Sequence, residues 1–286
     1  MIYLNGEFVA YQDAKISAFD RGCLFGDGVY EVIPVYSRRP FRLAEHVTRL
    51  EASLAAIGLD NPHPADEWIR LIEAVIAQQT FDDQSVYLHV TRGAAGYRDF
   101  PFPQPTQPTV LIFSTELVTP DAAQKAAGVR ALSHADFRWL RCDIKSLNLL
   151  PTVLMREHAR RAGCTEVVLF RDGWLSEGAA SNIFVVKDGV VLAPPKSQLM
   201  LPGITYDLVL ELCVAHGVAH AVRPIAEPEV READELWMTS STKEILPIVE
   251  LDGQAVGAGR PGPLAAQLDT LYQDFKARIM RQGLQS

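Results

Sequence analysis

The sequence is poor in cysteine: there are four, Cys23, Cys142, Cys164 and Cys213, and no two lie close together. That scatter excludes a zinc knuckle or a CxxC dithiol and predicts a chain from a reduced, cytoplasmic compartment. Long apolar runs are missing as well, since none approaches the ~20 residues that cross a bilayer. The opening MIYLNGEFVA lacks the basic region and apolar block of a secretion signal. Positive charge is in deficit, with 27 Lys and Arg against 35 Asp and Glu, a formal net charge of -8. Neither nucleic acid nor an anionic membrane is therefore expected as the main partner. There is also no GxSxG elbow, no internal repeat and no low-complexity tract.

What remains is an ordinary globular composition, 48% hydrophobic and 22% charged over 286 residues, long enough for two domains. IYLNGEFVA reads as a hairpin turning at Asn5-Gly6, and GVYEVIPVY as a strand behind a glycine-rich turn. Apolar residues at Leu43, Val47, Leu50, Leu54 and Ile57 share one helical face, with Gly58 near its end. A second helix is expected over ADEWIRLIEAVIAQQ, and strands over SVYLHVTRG and TVLIFS. The polar stretch 114–124 is the candidate linker. Beyond it come a strand at GVRALS, a helix at LPTVLMREHARRAG, and a meander punctuated by Asp-Gly turns at 172–173 and 188–189. Then follow a helix over about 204–216, a strand at DELWMTSS, and a last amphipathic helix from Pro263 to about Met280. Helices and strands mix on both sides of the linker, so the fold class is α/β (mixed α+β) in two lobes.

Two motifs are set aside. GAGRPG at 257–262 matches GxGxxG, but Pro261 and Pro263 remove N–H donors and only a short strand precedes it. His216 and His220 have a metal-like spacing, yet Gly217 breaks the helix between them and no carboxylate joins them. No metal is expected.

RWLRCDIKSLNLL sets Lys145 among leucines, an isoleucine and a tryptophan. A lone lysine there would ordinarily lay its stem on apolar surface and reach water with its ammonium. Three distant features fit a different use. Glu177, in LSEGAASNIF, stands before small residues that let a flat ligand approach, and could keep a heterocyclic nitrogen protonated. Gly203, Ile204 and Thr205 open a helix whose unpaired N–H groups favour an anion. Ser240, Ser241 and Thr242 follow a strand and offer hydroxyls to phosphate, while Arg49 could add a charge or merely pair with Glu45. A Schiff-base lysine needs an amine able to lose its proton, which burial and neighbouring positive charge favour; Arg138 and Arg141 stand close by in the sequence. Amine, acid and anion cup together make a candidate pyridoxal phosphate site.

FGDGVYEV, EHVTRL, VTRG, RWLRCDIKSLNLL, SEGAASNIF, LPGIT and TSSTKEI fall in the order and spacing of a known family. The chain resembles the class IV aminotransferases, the fold-type IV pyridoxal 5′-phosphate enzymes, and RWLRCDIKSLNLL is most similar to the D-amino-acid transaminases. The resemblance runs from Tyr3 to about Pro263. It implies an N-terminal α/β domain over 1–118, a C-terminal one over 119–286 carrying the lysine, the cofactor between them, and a homodimer. It implies that Lys145 forms the Schiff base and carries the proton, that Glu177 pairs with the pyridine nitrogen, and that Arg49, Gly203, Ile204, Thr205, Ser240 and Ser241 hold phosphate. Leu201 is implied to lie against the ring. Tyr30, Tyr87, His89, Arg98 and Phe100 are the implied substrate contacts.

The implied reaction moves an amino group between a D-amino acid, D-alanine foremost, and a 2-oxo acid such as 2-oxoglutarate. A branched-chain L-amino-acid transaminase, a 4-amino-4-deoxychorismate lyase and a non-catalytic ligand-binding relative are the alternatives. Two departures bear on substrate choice. The family's Arg-x-His is Arg98-Asp99-Phe100 here, and Tyr206 stands where arginine usually follows GIT.

Overall fold

A computed structural model describes residues 1–105 and 107–282. The chain falls into two compact units, one of residues 1–117 with 144–149, the other of residues 118–143 with 150–286.

The first unit contains β1 (Ile2–Leu4), β2 (Glu7–Val9), α1 (Arg21–Phe25), β3 (Gly28–Tyr36), β4 (Arg39–Pro40), α2 (Leu43–Ala56), α3 (Ala65–Ala77), β5 (Gln84–Thr91) and β6 (Thr109–Glu116). Its six strands form one antiparallel sheet in the order β2-β1-β6-β5-β3-β4. Alternation along β3 sends Val29, Ile33 and Val35 to one face, where they pack with Leu50 and Leu54 of α2 and Trp68, Ile72 and Val75 of α3. The expected hairpin turns at Asn5-Gly6, both in the left-handed region.

The second unit contains α4 (Ala122–Ala127), β7 (Val129–Ala135), α5 (Leu150–Arg161), β8 (Glu166–Arg171), β9 (Trp174–Gly178), β10 (Asn182–Lys187), β11 (Val190–Ala193), α6 (Ile204–Ala215), β12 (His220–Val222), α7 (Glu227–Arg231), β13 (Glu235–Ser240), β14 (Glu244–Leu251), β15 (Gln254–Ala255) and α8 (Pro263–Phe275), after which a π-helical turn covers Lys276–Arg281. The mixed sheet runs β12-β11-β10-β13-β14-β7-β8-β9, with β15 beside β14. Its core joins Val168, Ile183, Val185, Leu236, Leu246 and Ile248.

Several expectations change. Residues 114–116 finish β6 and 122–124 begin α4, so the connection shortens to 117–121. The Lys145 segment belongs to the first unit, not to the C-terminal domain, because Ile144 is buried in the first unit's core and Ser146 bridges to Val29 of β3. The last expected helix becomes α-helix and then π-turn, and β14, with Pro247 in its middle, was not anticipated. The GAGRPG segment is no phosphate cradle, since the carboxylate of Glu235 already takes the N–H groups of Leu264 and Ala265 at the start of α8. His216 caps α6 while His220 opens β12, and among the described residues no cluster of three or more His, Cys, Asp or Glu is placed to hold a metal. Among the same residues no helix is long and apolar enough to cross a membrane.

Candidate active site

Lys145 is held in the first unit by its backbone. Its carbonyl accepts the Tyr30 N–H at 2.9 Å, Leu147 donates to the Gly28 carbonyl at 2.9 Å, and its own N–H reaches Ser53 Oγ at 3.3 Å. Gly28 is required here, because a Cβ would lie 2.6 Å from the Val90 carbonyl oxygen and 2.8 Å from Leu147 Cδ1. The half-buried lysine places Nζ 4.3 Å from the centroid of the Tyr30 ring. Tyr30 stacks on Tyr87 at 5.8 Å, and Tyr87 meets His89 edge-on at 5.6 Å and Phe113 at 5.1 Å. The predicted residues Lys145, Tyr30, Tyr87 and His89 are thus brought together. Burial holds the His89 imidazole below its ordinary pKa and lifts the Tyr87 phenol to about 12, so both are neutral near pH 7.

The next residue along β3 points the other way. Glu31 takes Nε and Nη2 of Arg49, each at 2.8 Å, and Nδ1 of His46 at 2.8 Å, all three residues being buried. Burial alone would raise the Glu31 pKa, but the Arg49 charge and the Arg49 and His46 hydrogen bonds hold it far below the usual range. Arg49 therefore pairs with a strand residue that sequence spacing could not reveal, Glu31 being 18 positions away.

Arg98 and Phe100 lie on the exposed segment after β5. The Arg98 guanidinium stands 5.0 Å from the Phe25 ring and 5.4 Å from the Phe100 ring. Asp99 turns its Oδ1 onto the Phe100 N–H at 2.8 Å. Buried Arg21 gathers the carbonyls of Asp99 and Phe100 at 2.6 and 3.0 Å, and buried Arg92 stacks 3.5 Å from the Phe102 ring centroid. The segment is anchored by two arginines to which the sequence assigned no role.

In the second unit Glu177 lies one residue before the end of β9 and is 4% exposed. Oε1 accepts Arg138 Nη1 at 2.6 Å; Oε2 accepts the Leu201 N–H at 3.1 Å and Asn182 Nδ2 at 3.2 Å. Burial pushes its pKa up to about 7, against the pull of Arg138 and the Leu201 N–H. Asn182 also donates to the Leu201 carbonyl at 3.0 Å and lies opposite Thr239 of β13, which precedes Ser240 and Ser241. Gly203, at the N-cap of α6, approaches so closely that a Cβ would be 2.0 Å from Asn182 Oδ1. Asn182 is thus the hub linking Glu177, Leu201 and Gly203, although nothing in the sequence marked it beyond its place in SEGAASNIF. Tyr206 carries no charge into this region: it is buried and donates to the Pro194 carbonyl at 2.8 Å. Arg138 and Arg141 are matched by carboxylates, Asp136 and Glu177 for the first and Asp143 for the second. The expectation that they act as loose positive charge on Lys145 is corrected accordingly.

The donor set suits an anionic, nitrogen-bearing ring. Among the described residues, buried Thr205 Oγ1 has no hydrogen-bond partner in the first turn of α6, and no side chain caps the N–H groups there. A hydroxyl donor and free amides fit a phosphate, and a buried carboxylate fits a pyridinium.

Residues 28–251 match the family model for class IV aminotransferases. The chain belongs to that family. Class IV aminotransferases depend on pyridoxal 5′-phosphate and exchange amino groups between amino acids and 2-oxo acids. This class IV aminotransferase is 38% identical over 273 residues to a D-alanine aminotransferase of Bacillus licheniformis, covering 96% of each chain. It is 37% identical to a D-alanine aminotransferase of Listeria monocytogenes, over 98% of this chain and 96% of the relative. Among solved structures it is similar to the branched-chain amino acid aminotransferase of Escherichia coli, with a TM-score of 0.90, 27% identity, and coverage of 100% and 96%. The enzyme is an α/β aminotransferase of fold-type IV.

Proposed function

We propose that this class IV aminotransferase takes the amino group from a D-amino acid, D-alanine foremost, and gives it to a 2-oxo acid such as 2-oxoglutarate. The observation that carries this reading is the 38% identity, nearly end to end, to a relative named D-alanine aminotransferase, against 27% to the branched-chain structures.

Bound pyridoxal phosphate supplies an aldehyde for amines and a pyridinium ring that accepts the electron pair released when the substrate Cα loses its proton. Lys145 Nζ holds the cofactor at rest and then moves the Cα proton. Glu177 keeps the ring nitrogen protonated. Arg49, Gly203, Ile204, Thr205, Ser240 and Ser241 receive the phosphate, and Leu201 lies against the ring. Tyr30, Tyr87, His89, Arg98 and Phe100 receive the substrate, Arg98 through a bidentate contact with its carboxylate. The working form is a cytoplasmic homodimer with the cofactor between the N-terminal and C-terminal halves.

The similarity to branched-chain aminotransferases in fold supports a second reading, with L-valine or L-leucine as donor. A panel of D- and L-amino donors with 2-oxoglutarate, run beside Lys145→Ala, separates the two. Turnover of D-alanine is expected. Turnover of L-leucine but not D-alanine would install the second reading, and pyruvate released from aminodeoxychorismate without an acceptor would point to a lyase. Lys145→Ala is expected to lose ~10²–10⁴-fold or more in rate together with the visible absorbance of the bound cofactor.

A further inference from the structure

Asn5, Asp172, Asp188 and Asp252 adopt left-handed φ values ahead of a glycine, where short polar side chains tolerate that conformation. Glu244 is different. It has φ 56°, is 1% exposed, and faces Ser240 across the short turn that joins β13 to β14. Glycine is the residue that takes the left-handed position of such turns without strain. A glutamate is held there only if its surroundings over-determine it.

They do. Glu244 Oε1 accepts Lys276 Nζ at 2.5 Å, and Oε2 accepts Lys125 Nζ and Gln273 Nε2 at 2.8 Å each. Lys125 and Gln273 also bond Asp269 of α8, at 2.6 and 3.0 Å. Two ammonium groups thus face two carboxylates, so the lysines are compensated inside this cluster and are not themselves an anion seat. Burial would raise the Glu244 pKa, but the Lys276 charge and the lysine hydrogen bonds hold it below the usual carboxylate range. The cluster ties α4, α8 and the π-turn to one point, the turn carrying Ser240 and Ser241. Inside that turn Lys243 donates its N–H to Ser240 Oγ at 3.2 Å.

We infer that Glu244 is a positioning residue for the phosphate of the cofactor: clamped by Lys125 and Lys276, it fixes the 240–244 turn so that Ser240 and Ser241 present their hydroxyls and N–H groups to the phosphate. This rests on the reading that those two serines hold phosphate.

The test is titration of the full chain, stripped of cofactor, with pyridoxal phosphate and with pyridoxal, which lacks the phosphate. Glu244→Gly removes the anchor while suiting the left-handed backbone. It is expected to weaken pyridoxal phosphate binding by ~10-fold or more and to leave pyridoxal binding within about twofold. Unchanged affinity for pyridoxal phosphate overturns the inference, and so does an equal loss for both ligands, which marks a general structural role. Should Glu244→Gly not fold, Lys276→Met is read by the same two titrations. Ser240→Ala with Ser241→Ala separates the layers. If that variant binds pyridoxal phosphate normally, the phosphate reading falls and the inference with it. If it is weakened while Glu244→Gly is not, only the role of Glu244 falls.

Discussion

Arg138 Nη1 lies 2.6 Å from Glu177 Oε1, and the same guanidinium grips Asp136 through Nε and Nη2 at 2.9 Å each. One arginine therefore sits between two buried carboxylates. An opposite charge at this range lowers a carboxyl pKa, so the Glu177 pKa of about 7 is what burial leaves after Arg138 has pulled it down. Arg138→Gln is expected to raise the Glu177 pKa further. If the ionised carboxylate is the working form, the acid limb of the pH–rate profile moves to higher pH by roughly one unit or more. Arg138→Lys, which keeps the charge, should lie between the two. A profile of Arg138→Gln that superimposes on wild type would mean that Glu177 ionisation does not limit turnover.

The buried Glu31, His46 and Arg49 set predicts a stability effect with a definite sign. Glu31 titrates lower in the folded chain than in the unfolded one, so its contribution is present above about pH 4.5 and is lost as pH falls towards the folded value. Glu31→Gln has no carboxylate to titrate, so its melting temperature should fall less steeply below about pH 4.5 than that of wild type. Glu31→Ala leaves Arg49 buried against a void and should cost about 3–5 kcal/mol at neutral pH by chemical denaturation.

Arg98 tests the substrate assignment. It is exposed and its guanidinium meets the rings of Phe25 and Phe100, so Arg98→Ala should leave the melting temperature nearly unchanged. If it binds the substrate carboxylate, KM for D-alanine rises about 10–100-fold, the worth of a hydrogen bond to a charged group. A fall in kcat with KM unchanged would instead place Arg98 outside ground-state binding.

Much of this arrangement was legible in the sequence because it rests on short-range rules. The 3.6-residue repeat from Leu43 set α2, and Asn5-Gly6, Asp172-Gly173 and Asp188-Gly189 set three hairpin turns. Short or interrupted elements were not legible: five residues of α1 show no period, and Pro247 disguises β14 as something other than a strand. Partners across the fold were hidden for a further reason. Arg49 meets Glu31 because the pleat of β3 turns alternate residues towards α2, and Arg138 reaches Glu177 from 39 positions away. Such pairs follow from register, which motif spacing does not carry.

Gly203 shows how close that register brings groups to the site. Its φ of −74° and ψ of 136° suit any residue, so alanine there would be unstrained in its backbone. The obstacle is contact: the new Cβ would lie 2.0 Å from Asn182 Oδ1 and 3.3 Å from Tyr206 Cβ. Asn182 must then move, and its Nδ2 bonds to Glu177 and to the Leu201 carbonyl move with it. If Glu177 meets the ring nitrogen and Leu201 the face of the ring, Gly203→Ala is expected to weaken the hold on both. Losing one or two such hydrogen bonds, at ~1 kcal/mol each or more where one partner is charged, corresponds to about 5–50-fold in cofactor affinity. The measurement is fluorescence titration of the cofactor-free enzyme with pyridoxal phosphate. Asn182→Ala in the Gly203→Ala background should cost little further affinity, because the Nδ2 bonds it deletes are the ones the new Cβ has already displaced. Full affinity in Gly203→Ala alone would mean that Asn182 yields freely and does not position Glu177.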